Sequence, residues 1–148
     1  MSKTSFKKII HCEKEKLIGV VLDIEKYPEF VPWCLDAKVY KRNELDDLIE
    51  IEAELKVGKK FLNENYKSHI LFNKKDNSIL VNNLGGPLQY LKNEWRFKTI
   101  NSSTEVNFFI DFKLRNSILN LIVSKYFEIG LKKITDAFVK RSLKLSKI

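Results

Sequence analysis

Ile49-Glu50-Ile51-Glu52-Ala53-Glu54-Leu55-Lys56-Val57 carries an apolar residue at every odd position and a charged one at every even position. A period of two over such a run means a strand with one face in a core and one in water, because successive side chains leave a strand on opposite sides. Antiparallel sheets commonly keep one face wet, whereas parallel sheets are covered on both, so the run points to an antiparallel arrangement. The wet face of this strand is acidic.

The same period recurs on both sides of it. Residues 104 to 115 put Val106, Phe108, Ile110, Phe112 and Leu114 on one face and Glu105, Asn107, Asp111, Lys113 and Arg115 on the other, with Phe109 as the exception. Three more strands are expected between the two, over Phe61 to Phe72, Ser78 to Asn82 and Leu88 to Ile100, and another over Leu35 to Arg42. The breaks Gly58-Lys59-Lys60, Lys74-Lys75-Asp76-Asn77 and Asn101-Ser102-Ser103 are short enough for hairpins. Only the Asn83-Leu84-Gly85-Gly86-Pro87 link is more elaborate. With a short β-type run from Thr4 to Ile10, about seven strands form a mainly antiparallel meander.

Elsewhere the period is helical or broken. Glu13 to Leu22 places Leu17, Ile18, Val21 and Leu22 on one stripe of a short helix. Glu25 to Trp33 contains Pro28 and Pro32, so it is read as a compact turn and short helix whose Tyr27, Phe30, Val31 and Trp33 pack downward. Ser117 to Ile148 is a long helix, with Asn116-Ser117 as its cap and Val123, Phe127, Leu131, Ile134, Phe138 and Leu145 at helical spacing. Its first half is apolar around most of its circumference. Its second half is basic, with Lys132, Lys133, Lys140, Arg141, Lys144 and Lys147.

Strand, two short helices, six strands and a long helix describe an α+β fold in which a curved antiparallel sheet grips one helix. A curved sheet and a helix leave a groove between them, and such a groove is a natural ligand cavity. The 148 residues fit one domain spanning 1–148, and 44% hydrophobic with 31% charged residues is a globular composition. The N-terminal residues lack the apolar core of a secretory signal, and no stretch approaches the roughly 20 apolar residues of a membrane span, so a cytoplasmic protein is expected. A net charge of +8 attracts anionic surfaces, bilayer headgroups and nucleic acid alike.

No metal or catalytic pattern is present. Cys12 and Cys34 make no CxxC pair and no ligand spacing with His11 or His69, and GxSxG, HExxH, P-loop and GxGxxG motifs are absent. The informative residues are polar ones on faces that should be dry. Glu64 and Ser68 share the parity of Leu62, Tyr66, Ile70 and Phe72, and Asn93 shares that of Leu91, Trp95 and Phe97. Buried polar groups need partners, so Glu64, Tyr66, Ser68 and Asn93 pair with one another, meet water, or contact polar atoms of a ligand. His69 falls on the outward parity.

Two blocks carry a family resemblance. Glu15 to Cys34, ending Asp23-Ile-Glu-Lys-Tyr-Pro-Glu-Phe-Val-Pro-Trp-Cys34, resembles the diagnostic motif of the coenzyme Q-binding START-domain family, which includes the bacterial RatA-type proteins. Gly86-Pro-Leu-Gln-Tyr-Leu-Lys-Asn-Glu-Trp-Arg-Phe97 resembles its second signature. The resemblance implies a START-like helix-grip fold and a non-enzymatic protein that binds ubiquinone or a related polyprenyl lipid, in support of respiratory electron transport or quinone biosynthesis. No cofactor is implied beyond that ligand. On this reading Phe30, Val31, Trp33, Trp95, Phe108, Phe127 and Leu131 wall the tunnel and Tyr66, Ser68 and Asn93 contact the ring oxygens. The apolar start and basic end of the last helix approach the inner face of a membrane.

The alternative implied by the same family is a toxin that binds the large ribosomal subunit and blocks subunit association. The charge suits rRNA as well as lipid. No RRM- or KH-type motif is present, and DNA is not an expected partner. Related folds also host cyclases and hydrolases, and an enzyme here would need an acid or base in the cavity, for which Glu64 is the one candidate.

Overall fold

The computed structural model describes residues 2–59 and 62–146. Seven strands follow one another as β1 (Ser2–Ile10), β2 (Cys34–Leu45), β3 (Leu48–Lys59), β4 (Leu62–Asn73), β5 (Ser78–Asn83), β6 (Leu88–Ile100) and β7 (Ser103–Leu114). Helix α1 (Lys14–Leu22) and a 3-10 turn (Ile24–Glu29) lie between β1 and β2, and α2 (Ser117–Ser146) follows β7. The expected α+β grip of a curved antiparallel sheet on a long helix is therefore observed. Of the break expected at Gly58-Lys59-Lys60, Gly58 and Lys59 still belong to β3; Lys60, Phe61, Lys147 and Ile148 lie outside the described residues.

All pairings are antiparallel, in the order β1-β7-β6-β5-β4-β3-β2. From β2 to β7 the sheet is a meander of hairpins. The non-local step is the first: β1 pairs with β7 at one edge, and α1 and the 3-10 turn carry the chain across to β2 at the other. Register shifts in β2 against β3, between Cys34 and Asp36 and between Val39 and Lys41, and in β6 against β7 between Leu88 and Tyr90, add local twist and bend the strands.

Turn chemistry follows backbone demand. Asn77 and Asn101 adopt left-handed φ values of 52° and 55° in the turns that open β5 and β7, a conformation asparagine tolerates. In the 84–87 link, Gly85 and Gly86 are both left-handed, at φ 74° and 76°, and a Cβ on Gly86 would also stand 3.5 Å from the Asn65 carbonyl. At the start of α2, the Asn116 side chain accepts from the Leu119 amide at 3.0 Å, the hydrogen bond an N-cap makes.

One end of the grip is closely packed. Leu17, Ile18, Val20, Val21 and Leu22 of α1 meet Ile49, Ile51, Phe72, Ile79, Phe97 and Val106 of the sheet and Phe138 of α2, and all are buried. Polar groups in this region are paired: the Thr104 hydroxyl donates to the Cys12 carbonyl at 2.7 Å, and the Ser142 hydroxyl to the Phe138 carbonyl at 2.8 Å. The 3-10 turn is anchored here too, with the Tyr27 hydroxyl donating to the Val21 carbonyl.

Candidate ligand-binding site

The other end of the grip is open. An outer chamber of about 520 Å³ lies between the first half of α2 and the ends of β3, β4, β6 and β7. An inner chamber of about 330 Å³ runs deeper, under the Val31–Cys34 segment and towards Phe138. Trp33, Val57, Tyr66, Leu88, Leu91, Ile110, Leu131 and Ile134 line both, so the two are contiguous.

Trp33 sits at this junction. Its φ of 64° is left-handed, a rare conformation for a bulky residue, and it follows the path imposed by Pro28 and Pro32. The bend carries the indole over α2, where a Cβ on Gly130 would stand 3.8 Å from its ring. Pro32 and Val31 line the inner chamber beside it. The segment thus stands between the two chambers. The exposed Ile122 and Tyr126, which also line the outer chamber, border the opening.

The polar inventory is small. Asn93 is committed internally: its amide donates to the Phe109 carbonyl at 2.9 Å, and its Oδ1 accepts from Trp95 Nε1 at 2.7 Å. This network holds the indole of Trp95 against Phe108, edge to face at 4.9 Å. The hydroxyls of Tyr66 and Ser68, by contrast, have no hydrogen-bond partner among the described residues. Both residues line the inner chamber, and no fully buried side-chain oxygen there is left unpaired, so the two hydroxyls face open cavity space. Burial, and then the nearby Glu64 carboxylate, push the Tyr66 hydroxyl above its ordinary pKa, so it stays a proton donor at neutral pH.

The other titratable groups of the inner chamber are also held protonated. Burial is the main cause of the raised pKa of Tyr27, with smaller effects from Cys34 and Asp23. Burial likewise raises Cys34, with Asp36 adding to it. Glu64, on the inward parity, stands on the exposed rim of the outer chamber and meets water, one of the outcomes its parity left open, because the end of β4 beyond β5 is open to solvent. His69 is on the outer face, 3.2 Å from Glu50. Among the described residues no cluster of His, Cys, Asp and Glu could hold a metal ion.

Of the residues expected to contact a ligand, Val31, Trp33, Tyr66, Ser68, Asn93, Trp95, Phe108 and Leu131 line the inner chamber. Phe127 lines the outer one, stacked edge to face on Phe112 at 5.3 Å. Phe30 does not belong with them. It packs against Tyr27 and Phe138 with ring centroids 5.9 and 5.3 Å away and lies under the Arg141 guanidinium, because the 3-10 turn rotates it away from the cavity towards the second half of α2. Leu91 and Ile110 were missed as lining residues, although strand parity already placed them beside Asn93 and Phe108.

Comparison with known proteins agrees with this geometry. Residues 15–139 match the family described as polyketide cyclase/dehydrase and lipid transport. The chain is 36% identical over 143 residues to the ribosome association toxin RatA of Rickettsia prowazekii, covering 95% of each. It is 27% identical over 130 residues to a mitochondrial coenzyme Q-binding protein of Dictyostelium discoideum, covering 85% of this chain and 62% of that longer one. The solution structure of an 18 kDa protein of Caulobacter crescentus superposes over 100% of both chains with a TM-score of 0.80 at 27% identity. By its matched residues and its helix-grip architecture, the chain belongs to the polyketide cyclase/dehydrase and lipid transport family of START-like proteins.

Proposed function

We propose that this protein binds an apolar molecule with a small oxygen-bearing head, of the polyprenyl quinone class, and holds it without transforming it. The observation that carries the reading is the pair of unpartnered hydroxyls, Tyr66 and Ser68, in an otherwise apolar space. Two donors on one strand face suit a ring with carbonyl oxygens, and the contiguous outer chamber suits a hydrocarbon tail that leaves towards the opening. Displacing water from apolar walls drives binding, while the hydroxyls fix which end enters first. Among the described residues of the inner chamber, Tyr27, Tyr66 and Cys34 stay protonated near neutral pH and offer no general base. A relative named for binding coenzyme Q supports the ligand class.

The test is mass spectrometry of an organic extract of the purified protein, followed by titration with a short-chain quinone. A polyprenyl quinone in the extract, or saturable uptake weakened by Tyr66→Phe and Ser68→Ala, supports the proposal. Neither a co-purified quinone nor any uptake defeats it.

A second reading, association with the large ribosomal subunit, is favoured by the relative named as a ribosome association toxin, which matches over 95% of this chain. Lys133, Lys140, Arg141 and Lys144 line a surface groove in which they outnumber the acids Glu29 and Asp136, an excess of cations that suits phosphate groups of RNA. Co-sedimentation with large subunits at physiological salt supports this reading, and protein remaining at the top of the gradient counts against it.

A further inference from the structure

Among the described residues, none that lines the inner chamber is Asp, Glu, His, Lys or Arg, and most of its polar side chains are occupied. Asn93 Oδ1 accepts from Trp95 Nε1 at 2.7 Å, and the Asn93 amide donates to the Phe109 carbonyl at 2.9 Å. The Thr135 hydroxyl donates to the Leu131 carbonyl at 2.8 Å, and the Tyr27 hydroxyl to the Val21 carbonyl. What remains for a ligand is the pair of hydroxyls on Tyr66 and Ser68, alternate residues on one face of β4. Two residues along a strand span about 7 Å, which lets both hydroxyls reach the opposite oxygens of one ring.

We infer that this chamber selects the redox state of its ligand: it takes the oxidised quinone and rejects the quinol, and the hydrogen bond between Asn93 and Trp95 is part of the selection. The inference rests on the ligand reading above and adds which form is bound. Quinone oxygens only accept, so each protein hydroxyl gives one its proton and both partners are satisfied. A quinol brings two protons of its own. Each contact between a quinol hydroxyl and a protein hydroxyl makes one hydrogen bond from two protons, so the leftover protons need further acceptors. A carboxylate or a neutral imidazole would take them, and neither lines the chamber. An amide oxygen would also serve, and that of Asn93 is engaged by the Trp95 indole. Glu64 lines only the outer chamber, on its wet rim.

The selection gives the protein a place beside quinone reduction. An enzyme that adds two electrons and two protons to the ring converts it to the form this chamber holds more weakly, so reduction releases the ligand. The chamber has no charged group to supply those protons itself. By linkage, tighter binding of the oxidised form lowers the midpoint potential of the bound couple, by about 30 mV for each tenfold of preference.

The experiment is calorimetric titration of the full chain under argon, with decylubiquinone and with the same compound reduced to decylubiquinol. The quinone is expected to bind at least about tenfold more tightly, the effect of an unmet O–H in apolar surroundings. Trp95→Phe frees the Asn93 oxygen, so quinol affinity should rise and the preference should fall to about threefold or less, with helical circular dichroism retained. Trp95→Phe/Asn93→Leu removes that oxygen again and should restore the preference. A redox titration of the couple with wild-type protein in excess needs no variant and should show a lowered potential. Equal wild-type affinities for the two forms, or tighter binding of the quinol, overturn the inference and leave the ligand reading intact. So does an unshifted potential, or a preference that a folded Trp95→Phe leaves unchanged. Uptake of neither form defeats the ligand reading, and the inference with it.

Discussion

The two ends of the grip use the same sheet and the same helix in opposite ways. At the end near α1, Ile49, Ile51, Phe72 and Ile79 are buried against α1 and the second half of α2. At the other end, the continuation of the same strands through Val57, Tyr66, Leu91 and Phe112 faces the chambers instead of a packed layer. The difference comes from what stands opposite. Helix α1 fills the concave face at one end, whereas at the other the start of α2 meets the sheet directly, through Ser124 on Ser2 and Phe127 on Phe112, beside the open chambers. Stability is thus concentrated at one end, and capacity for a ligand at the other.

Truncation at matched residues gives the largest test. Phe72→Ala at the packed end should cost about 3–5 kcal/mol in urea unfolding, because a cavity is created in close-packed surroundings. Phe112→Ala, whose ring already borders free volume, should cost less than about half as much. Equal losses would break the distinction between the ends.

Smaller effects sharpen it. Tyr66→Phe should weaken short-chain quinone binding by about 0.5–1.5 kcal/mol in titration calorimetry and leave the unfolding midpoint nearly unchanged. Gly130→Ala should raise stability by about 0.5–1 kcal/mol, since the helix gains propensity and the added methyl meets the Trp33 ring at the ordinary contact distance of 3.8 Å. Gly130→Leu should instead displace the indole and reduce ligand uptake.

The smallest effect lies on the outer surfaces. The hydrogen bond from Arg141, aided by Lys26, holds the Glu29 carboxyl below its ordinary pKa, and the hydrogen bond from His69 does the same for Glu50. A lowered folded-state pKa stabilises above the unfolded value, and that stabilisation is lost as pH falls through the folded one. Urea midpoints should therefore decline slightly on acidification below the ordinary carboxylate range, and less so in Glu29→Gln. Both pairs are only partly buried and are reached by solvent, so the change is modest.

Much of this architecture was legible in the sequence because it depends on local periods. Ile49 to Val57 alternates strictly and is a strand with those odd residues inward; Val106 to Leu114 behaves likewise. Parity also placed Tyr66, Ser68 and Asn93 on the inner face. It could not separate them, since the partners of Asn93 are the Phe109 carbonyl across the β6–β7 ladder and the nearby Trp95 indole, whereas the two hydroxyls find no partner among the described residues. Glu64 keeps the inner register that parity gives it, but the sequence does not say that it stands where β5 no longer covers β4, at the wet rim.

Phe30 and Trp33 show the limit most plainly. Two prolines announce an irregular path between them, but the sequence does not say which way each ring turns. A left-handed φ at Trp33 and a 3-10 turn through Glu29 send one ring over Gly130 and the other beneath Arg141. The chain alone determined a one-sided antiparallel sheet, its helices and the inward face of each strand, because those follow from the alternation of side chains along a backbone. Tertiary structure decided the β1–β7 pairing, the division of the cavity at Trp33 and the uncovered face of α2, because each depends on residues that meet only when distant segments close on one another.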